Sequence, residues 1–377
     1  MAGRVQYLSG FLLIRLACGL AVGQDSVDAY PWNLPKGFPK PRVPAENPMT
    51  AAKVELGRYL FYDSRMSVNG KGSCATCHKQ QLAFTDGRAV SVGATGERHS
   101  RGAMSLVNVA YSAVLTWGNP TVRELEDQAL TPMYGEHPIE LGLKKDDGFL
   151  SALRSDGRYQ DLFRSAFSGA ADPFTITNVV KAIACFERSI ISGRSPWDRY
   201  HFDRDDSAIS EFAKRGEVLF FSQPLSCFRC HSGFNFSGNT VTETRVPRAP
   251  EFHNTGLYNI AGAFSYPQPN LGTFEFTRDP TDVGKYKAPT LRNIALTGPY
   301  MHDGSIATLA GVLDHYAAGG RNISSGPHAG VGHDNPNKDP LVGGFVLSPR
   351  DREDLIEFLK ALTDEAVLRD RRFSNPW

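Results

Sequence analysis

The sequence predicts a mostly α-helical protein built from two similar domains. Two observations carry this expectation. The stretches "ELGRYLFYDSRMSVNGKGSCATCH" and "KRGEVLFFSQPLSCFRCH" share a G-x-x-L-F pattern, and each ends in CxxCH. In a helix, positions i, i+3 and i+4 lie on one face, so Gly57, Leu60 and Phe61 form a stripe, as do Gly216, Leu219 and Phe220. An internal repeat in a chain of 377 residues with 41% apolar side chains implies two units, each with its own core.

The cysteine motifs give the chemistry. Two thiols at this spacing can add across the two vinyl groups of one haem, and the adjacent histidine then reaches the iron. A bare CxxC also serves zinc knuckles and dithiol redox pairs. Zinc would have to draw its four ligands from these same six side chains, and a redox pair has no use for the histidine. The reading is therefore two covalently bound c-type haems: one on Cys74 and Cys77 with His78 as proximal ligand, the other on Cys227 and Cys230 with His231. Each domain is then expected to be a cytochrome c-like helical domain, over 49–195 and 196–377.

The remaining elements follow in chain order. Residues 1–23 read as an export signal, with Arg4 in front, an apolar run from Leu8 to Val22 and a small-x-small end at Ala21 to Gly23. This implies a periplasmic protein. Arg15 interrupts the run, leaving an uncleaved anchor or a different start as alternatives, and Cys18 leaves with the signal. The proline-rich stretch 24–48 is expected to be an extended arm on the surface. Thr50 can cap a helix through Phe61. "TDGRAVSVGATGERHSRG" reads as loop, "TVRELEDQALTPM" as a helix entering a proline stop, and 176–191 as a helix. Cys185 lies on that helix's apolar face and is given no chemistry. "SPWDRYHFDRDD" links the halves, and the glycine-rich region 317–344 is expected to be a long irregular surface loop. Ser348, Pro349 and Asp351 start a final helix.

Composition excludes some partners. The formal net charge is +1, with no long basic run, which argues against nucleic acid. After the first thirty residues nothing approaches the apolar length of a membrane span.

Further blocks carry a family resemblance. Together with the two CxxCH motifs, "LVNVAYSAVLTWGN", "EDQALTPMYGEHPIELG" and "APTLRNIALTGPYMHDGSIATLAGVLDHYAAGG" resemble the bacterial di-haem cytochrome c peroxidase and MauG family. The resemblance covers nearly all of the mature chain. It implies two helical cytochrome c domains packed around a central ion and a bridging tryptophan. By similarity Glu140 matches the catalytic glutamate, Gln128 the distal glutamine, Pro132 a residue of the same pocket and Trp117 the bridge. Trp32, Trp197 and Trp377 read as structural or surface residues. Ala94 stands where the classical peroxidases carry a histidine on the first haem, implying an open peroxide-reactive iron; His99, five residues later, is the alternative ligand. Fourteen residues after His302 comes Tyr316, where the peroxidases have methionine and MauG-like proteins tyrosine. Met301 is the competing sixth ligand. A phenolate favours the higher iron oxidation states, whereas methionine favours ferrous iron. Thr297 and Pro299 match ligands of the family's calcium, while Gly102 departs from its asparagine.

"PWNLPKGFPKPRVPAENPM", "LAFTDGR" and "RGAMSL" look most like the MbnH-like branch. The function this implies is a peroxide-driven enzyme of bis-Fe(IV) type. It would oxidise a tryptophan on an MbnP-like periplasmic protein, to kynurenine. The alternatives are a cytochrome c peroxidase that takes electrons from a small cytochrome or cupredoxin, and a pure electron carrier. Tyr316 argues against the first, and Ala94 with Glu140 against the second.

Overall fold

A computed structural model describes residues 30–144, 146, 148–262 and 264–377; the export signal read at 1–23 lies outside them. The described residues are mostly helix and loop. The first half holds α1 (Ala51–Tyr62), α2 (Cys74–Cys77), α3 (Leu125–Tyr134), α4 (Gly148–Arg154), α5 (Gly157–Ala166) and α6 (Ile176–Ser189). The second holds α7 (Pro196–Phe202), α8 (Glu211–Phe220), α9 (Phe274–Thr277), α10 (Leu309–Ala317) and α11 (Pro349–Ala361). Thr50 caps α1 by accepting from the Lys53 amide, and Ser348 and Asp351 close a capping box on α11.

The repeat is visible in the packing. A Cβ on Gly57 would lie 1.9 Å from the Ala182 carbonyl oxygen of α6, and one on Gly216 would lie 1.9 Å from the Asp354 carbonyl oxygen of α11. Each glycine lets the helix before a CxxCH cross its partner at backbone contact. Leu60 and Phe61 are fully buried on one side of the repeat, and Phe220 is buried on the other. Gly216→Ala is accordingly expected to destabilise the fold by about 1–3 kcal/mol, because helix backbone cannot give way cheaply. Denaturant titration checks this, and an unchanged midpoint would show that α8 and α11 can separate at no cost.

A second repeated element escaped the sequence reading. Asn108 and Asn293 both have positive φ (57° and 61°), both are fully buried, and each precedes a single 3-10 turn, Val109–Tyr111 or Ile294–Leu296. Both bind the segment between the halves: Asn108 Nδ2 donates to the Ser192 carbonyl (2.8 Å) and Asn293 Nδ2 to the Ser192 hydroxyl (2.9 Å).

Three sequence expectations change. The 24–48 arm is more than a surface strap where it is described: Phe38 and Asn47 are buried, with Phe38 edge-on to Tyr111 and Phe234, and Asn47 bonded to Glu126 and the Lys181 carbonyl. These contacts tie the arm to the body of the protein. The link between the halves contains α7, which starts at a Ser195–Asp198 capping box and buries Trp197 in the second core. Within 317–344, Asn322–Ile323 pairs antiparallel with Gly330–Val331.

Candidate functional site

The helix α1 delivers the chain to the short turn α2, which exposes Cys74 and Cys77 to one cleft and leaves His78 at its end. His78 Nδ1 lies 2.9 Å from the Phe84 carbonyl oxygen, and His231 Nδ1 lies 3.2 Å from that of Phe236. A carbonyl only accepts, so in both rings Nδ1 carries the proton and Nε2 is left with its lone pair for a metal. The loop after His231 is braced by Arg292. Its guanidinium is fully buried, bonded to the Phe234 carbonyl (Nε, 2.9 Å) and paired with Asp198 (2.5 Å).

Residues far apart in the sequence meet at the first centre. Ala94, Gln128, Pro132 and Glu140 line the same cleft as Cys74, Cys77 and His78. Gln128 and Pro132 come from α3, and Glu140 from the loop that follows. Burial holds the Glu140 carboxyl above the usual carboxylate range. Glu187 of α6, which the sequence reading passed over, also lines the cleft; it is buried, its Oε2 has no partner among the described residues, and burial pushes its pKa up to about 8. Among the described residues His78 is the one histidine of the lining, and His99 is not part of it. The enclosed space is about 70 Å³.

The second centre is roomier. Cys227, Cys230 and His231 border a cavity of about 630 Å³, together with Tyr316 of α10, Met301, His302, Tyr286 and Trp117. This volume suits a large, flat, mostly apolar cofactor. Tyr286 Oη and His302 Nε2 are buried without partners among the described residues, and the two rings are stacked at 3.8 Å. Such orphaned polar atoms fit the polar edge of a bound group. Both rivals for the sixth ligand, Tyr316 and Met301, border the cavity. Burial raises the Tyr316 phenol, so a phenolate would persist there only beside a cation.

Trp117 sits where the halves join. Its indole Nε1–H donates to the Gly102 carbonyl (2.9 Å), its carbonyl accepts from the Lys287 amide (3.0 Å), and it lines the second cavity as well as a smaller pocket. That smaller pocket, about 90 Å³, contains the expected calcium oxygens of Thr297 and Pro299, with Gly102, Asp86 and Lys287. Asp86 adds a carboxylate suited to a hard cation. The buried Lys287 ammonium, bonded to the Val114 carbonyl (2.8 Å), opposes one. Trp377 is half-exposed, edge-on to Tyr59 and flanked by Arg65 and Arg158.

Two thiol pairs, each followed by a histidine with a free Nε2 and each bordering a cleft or cavity in its own helical half, define a di-haem c-type protein. Comparison with known proteins places it further. The family model "Di-haem cytochrome c peroxidase" matches residues 51–207. The chain is 32% identical to the methylamine utilization protein MauG of Methylorubrum extorquens over 333 residues, which covers 88% of this chain and 83% of that protein. It is 33% identical to the cytochrome-c peroxidase IdrP1 of Denitromonas iodatirespirans over 348 residues, 88% of this chain and 87% of that one. Among solved structures, a MauG-like protein associated with microbial copper homeostasis superposes with a TM-score of 0.89 at 45% identity, over 93% of this chain and all of the other. The chain therefore belongs to the di-haem cytochrome c peroxidase/MauG family and is an oxidoreductase of that family, carrying two haem c groups and using hydrogen peroxide. Among the described residues no helix is long and apolar enough to cross a membrane.

Proposed function

We propose that the protein uses hydrogen peroxide at the His78 centre to oxidise a tryptophan on a partner protein, to kynurenine, while the His231 centre stores the second oxidising equivalent. The observation that carries this reading is the unlikeness of the two centres. One cleft combines the raised carboxyl of Glu140 with no histidine besides His78; the other cavity is bordered by His231 and a tyrosine. The likeness to a MauG-like protein associated with copper homeostasis supports a substrate of the MbnP type. The same reading takes 49–195 and 196–377 as the haem domains and places the mature protein in the periplasm after cleavage near Gly23.

When bound, the haems supply the redox chemistry that draws two oxidising equivalents from one peroxide. The chain's own residues do the rest. Glu140 accepts a proton from one peroxide oxygen and returns it to the other. The Gln128 amide orients the peroxide, and Pro132 narrows the cleft beside it. Tyr316 would hold the iron of the second haem through its phenol oxygen. Trp117, pinned at both its indole and its carbonyl, is the oxidisable bridge between the halves. Oxygen atoms of Thr297, Pro299 and Asp86 would hold a calcium ion next to that bridge, and no step depends on it.

Met301 also borders the second cavity, and a methionine ligand there would suit a peroxidase fed by a small cytochrome or cupredoxin. One experiment separates the two. Stoichiometric peroxide added to the diferric protein is expected to give a long-lived near-infrared charge-resonance band, and mass spectrometry of a co-encoded partner then to show oxygen added at tryptophan. Fast turnover of a reduced cytochrome without that band would overturn the proposal.

A further inference from the structure

The loop that carries Ala94 folds back as a tight hairpin. Val92 and Arg98 form an antiparallel bridge, the Gly93 amide donates to the Glu97 carbonyl (2.8 Å), and the His99 amide donates to the Ser91 carbonyl (2.8 Å). The hairpin is stitched to the Glu140 loop. The Ala94 amide donates to the Glu140 carbonyl (2.7 Å), and the Glu97 carboxylate accepts from the Ile139 amide (2.7 Å). Gly93 comes so close that a Cβ there would lie 1.9 Å from the Ile139 carbonyl oxygen. This stitching brings His99 Nε2 to 3.8 Å from Glu140 Oε1.

The protonation of His99 follows from its other nitrogen. The Arg101 amide donates to His99 Nδ1 (3.0 Å), so Nδ1 holds a lone pair and the neutral ring carries its proton on Nε2, the atom turned toward Glu140. Burial, and then the Arg101 charge, hold the ring below its ordinary pKa and keep it neutral. The charged groups around it are Glu97, tied to the Ile139 amide; Arg98 beside it in the chain; Arg101, paired with Glu275 (2.5 Å); and Glu140. The His99 and Glu140 side chains are 28% and 34% exposed, so water reaches both.

We propose that His99 is a positioning residue for Glu140, donating its Nε2–H to the Glu140 carboxylate through one water or after an approach of about 1 Å. This deepens the reading of Glu140 as the proton-transfer group and rests on it. A donor to the carboxylate favours the ionised form and offsets the upward push of burial. Glu140 is thereby kept able to take the first proton from peroxide. In the transfer one proton moves from one peroxide oxygen to Glu140 and on to the other oxygen, which leaves as water with the O–O bonding pair, while the haems, when bound, would supply the two electrons that the oxygen left behind requires; His99 gains and loses none.

The test is a stopped-flow pH profile of the diferric protein with peroxide, with the Soret bands of both haems as the check on folding. His99→Leu is expected to move the acid limb upward by about one unit, a loss of about tenfold in rate at a fixed pH on that limb. His99→Gln restores a donor and is expected to return the limb toward the wild-type position, while His99→Asn, whose amide falls short, behaves like His99→Leu. An acid limb that stays in place in both His99→Leu and His99→Asn, or moves downward, overturns the proposal. Glu140→Gln is the control that separates the two levels. If it reacts at the wild-type rate, the reading of Glu140 itself has failed, whatever His99 does.

Discussion

Glu140→Gln is expected to slow the reaction of the diferric protein with hydrogen peroxide by about a hundredfold to ten-thousandfold, the range that a positioned proton-transfer group contributes. Breaking the O–O bond heterolytically requires a proton on the departing oxygen, and the other oxygen must lose one. A carboxyl can do both within a single encounter, provided it sits over the cleft with a pKa near the working pH. Glu140 lines that cleft, and burial raises its carboxyl. Glutamine keeps the size and one carbonyl acceptor but cannot hold the transferred proton. The resting Soret spectrum and both haem contents are expected to be unchanged, because Glu140 touches neither cysteine pair by covalent chemistry. Rapid mixing at several peroxide concentrations measures the second-order rate. A variant that reacts at the wild-type rate would transfer the role to another carboxyl of the same cleft, and Glu187, buried and with no partner for Oε2 among the described residues, would be next in line.

Tyr316→Met has the second large expected effect, and its sign differs from that of a simple loss. The phenolate stabilises ferric and higher states, whereas a thioether stabilises ferrous iron. The second haem's absorption spectrum is therefore expected to change, its reduction potential to rise, and the near-infrared band after peroxide to disappear. Tyr316 borders the 630 Å³ cavity from α10, so methionine can be accommodated without repacking the core. Potentiometric titration followed optically checks both claims. An unaltered second-haem spectrum would exclude Tyr316 as a ligand and point to Met301 on the same cavity.

Some of the site was legible because it is local in the chain. CxxCH encodes two thiols and an imidazole within five positions, and the glycine, leucine and phenylalanine of each repeat fall on one helical face. The crossings at Ala182 and Asp354 were hinted at only by glycine in an otherwise apolar stripe. Glu187 left no signal, since a carboxylate on a helix ordinarily faces water; what buries it is the packing of α6 against α1 and α3. The anchoring of the arm left no signal either. Proline predicts an extended backbone correctly but says nothing about whether Phe38 will find Tyr111 and Phe234 to pack on.

By itself the sequence determined the cofactor class and the doubling of the helical unit, because thiol spacing and helical periodicity act over a few residues; the family came from the resemblance of longer blocks. Only the tertiary structure decided which polar groups surround each centre. Glu140 stands beside His99, Tyr316 on the same cavity as His231, and Trp117 between Gly102 and Lys287, because segments separated by tens to hundreds of residues are joined across the chain. The physical reason is that a pKa, a tautomer or a ligand field depends on distances of a few ångströms, and such distances are set by packing across the chain rather than by order along it.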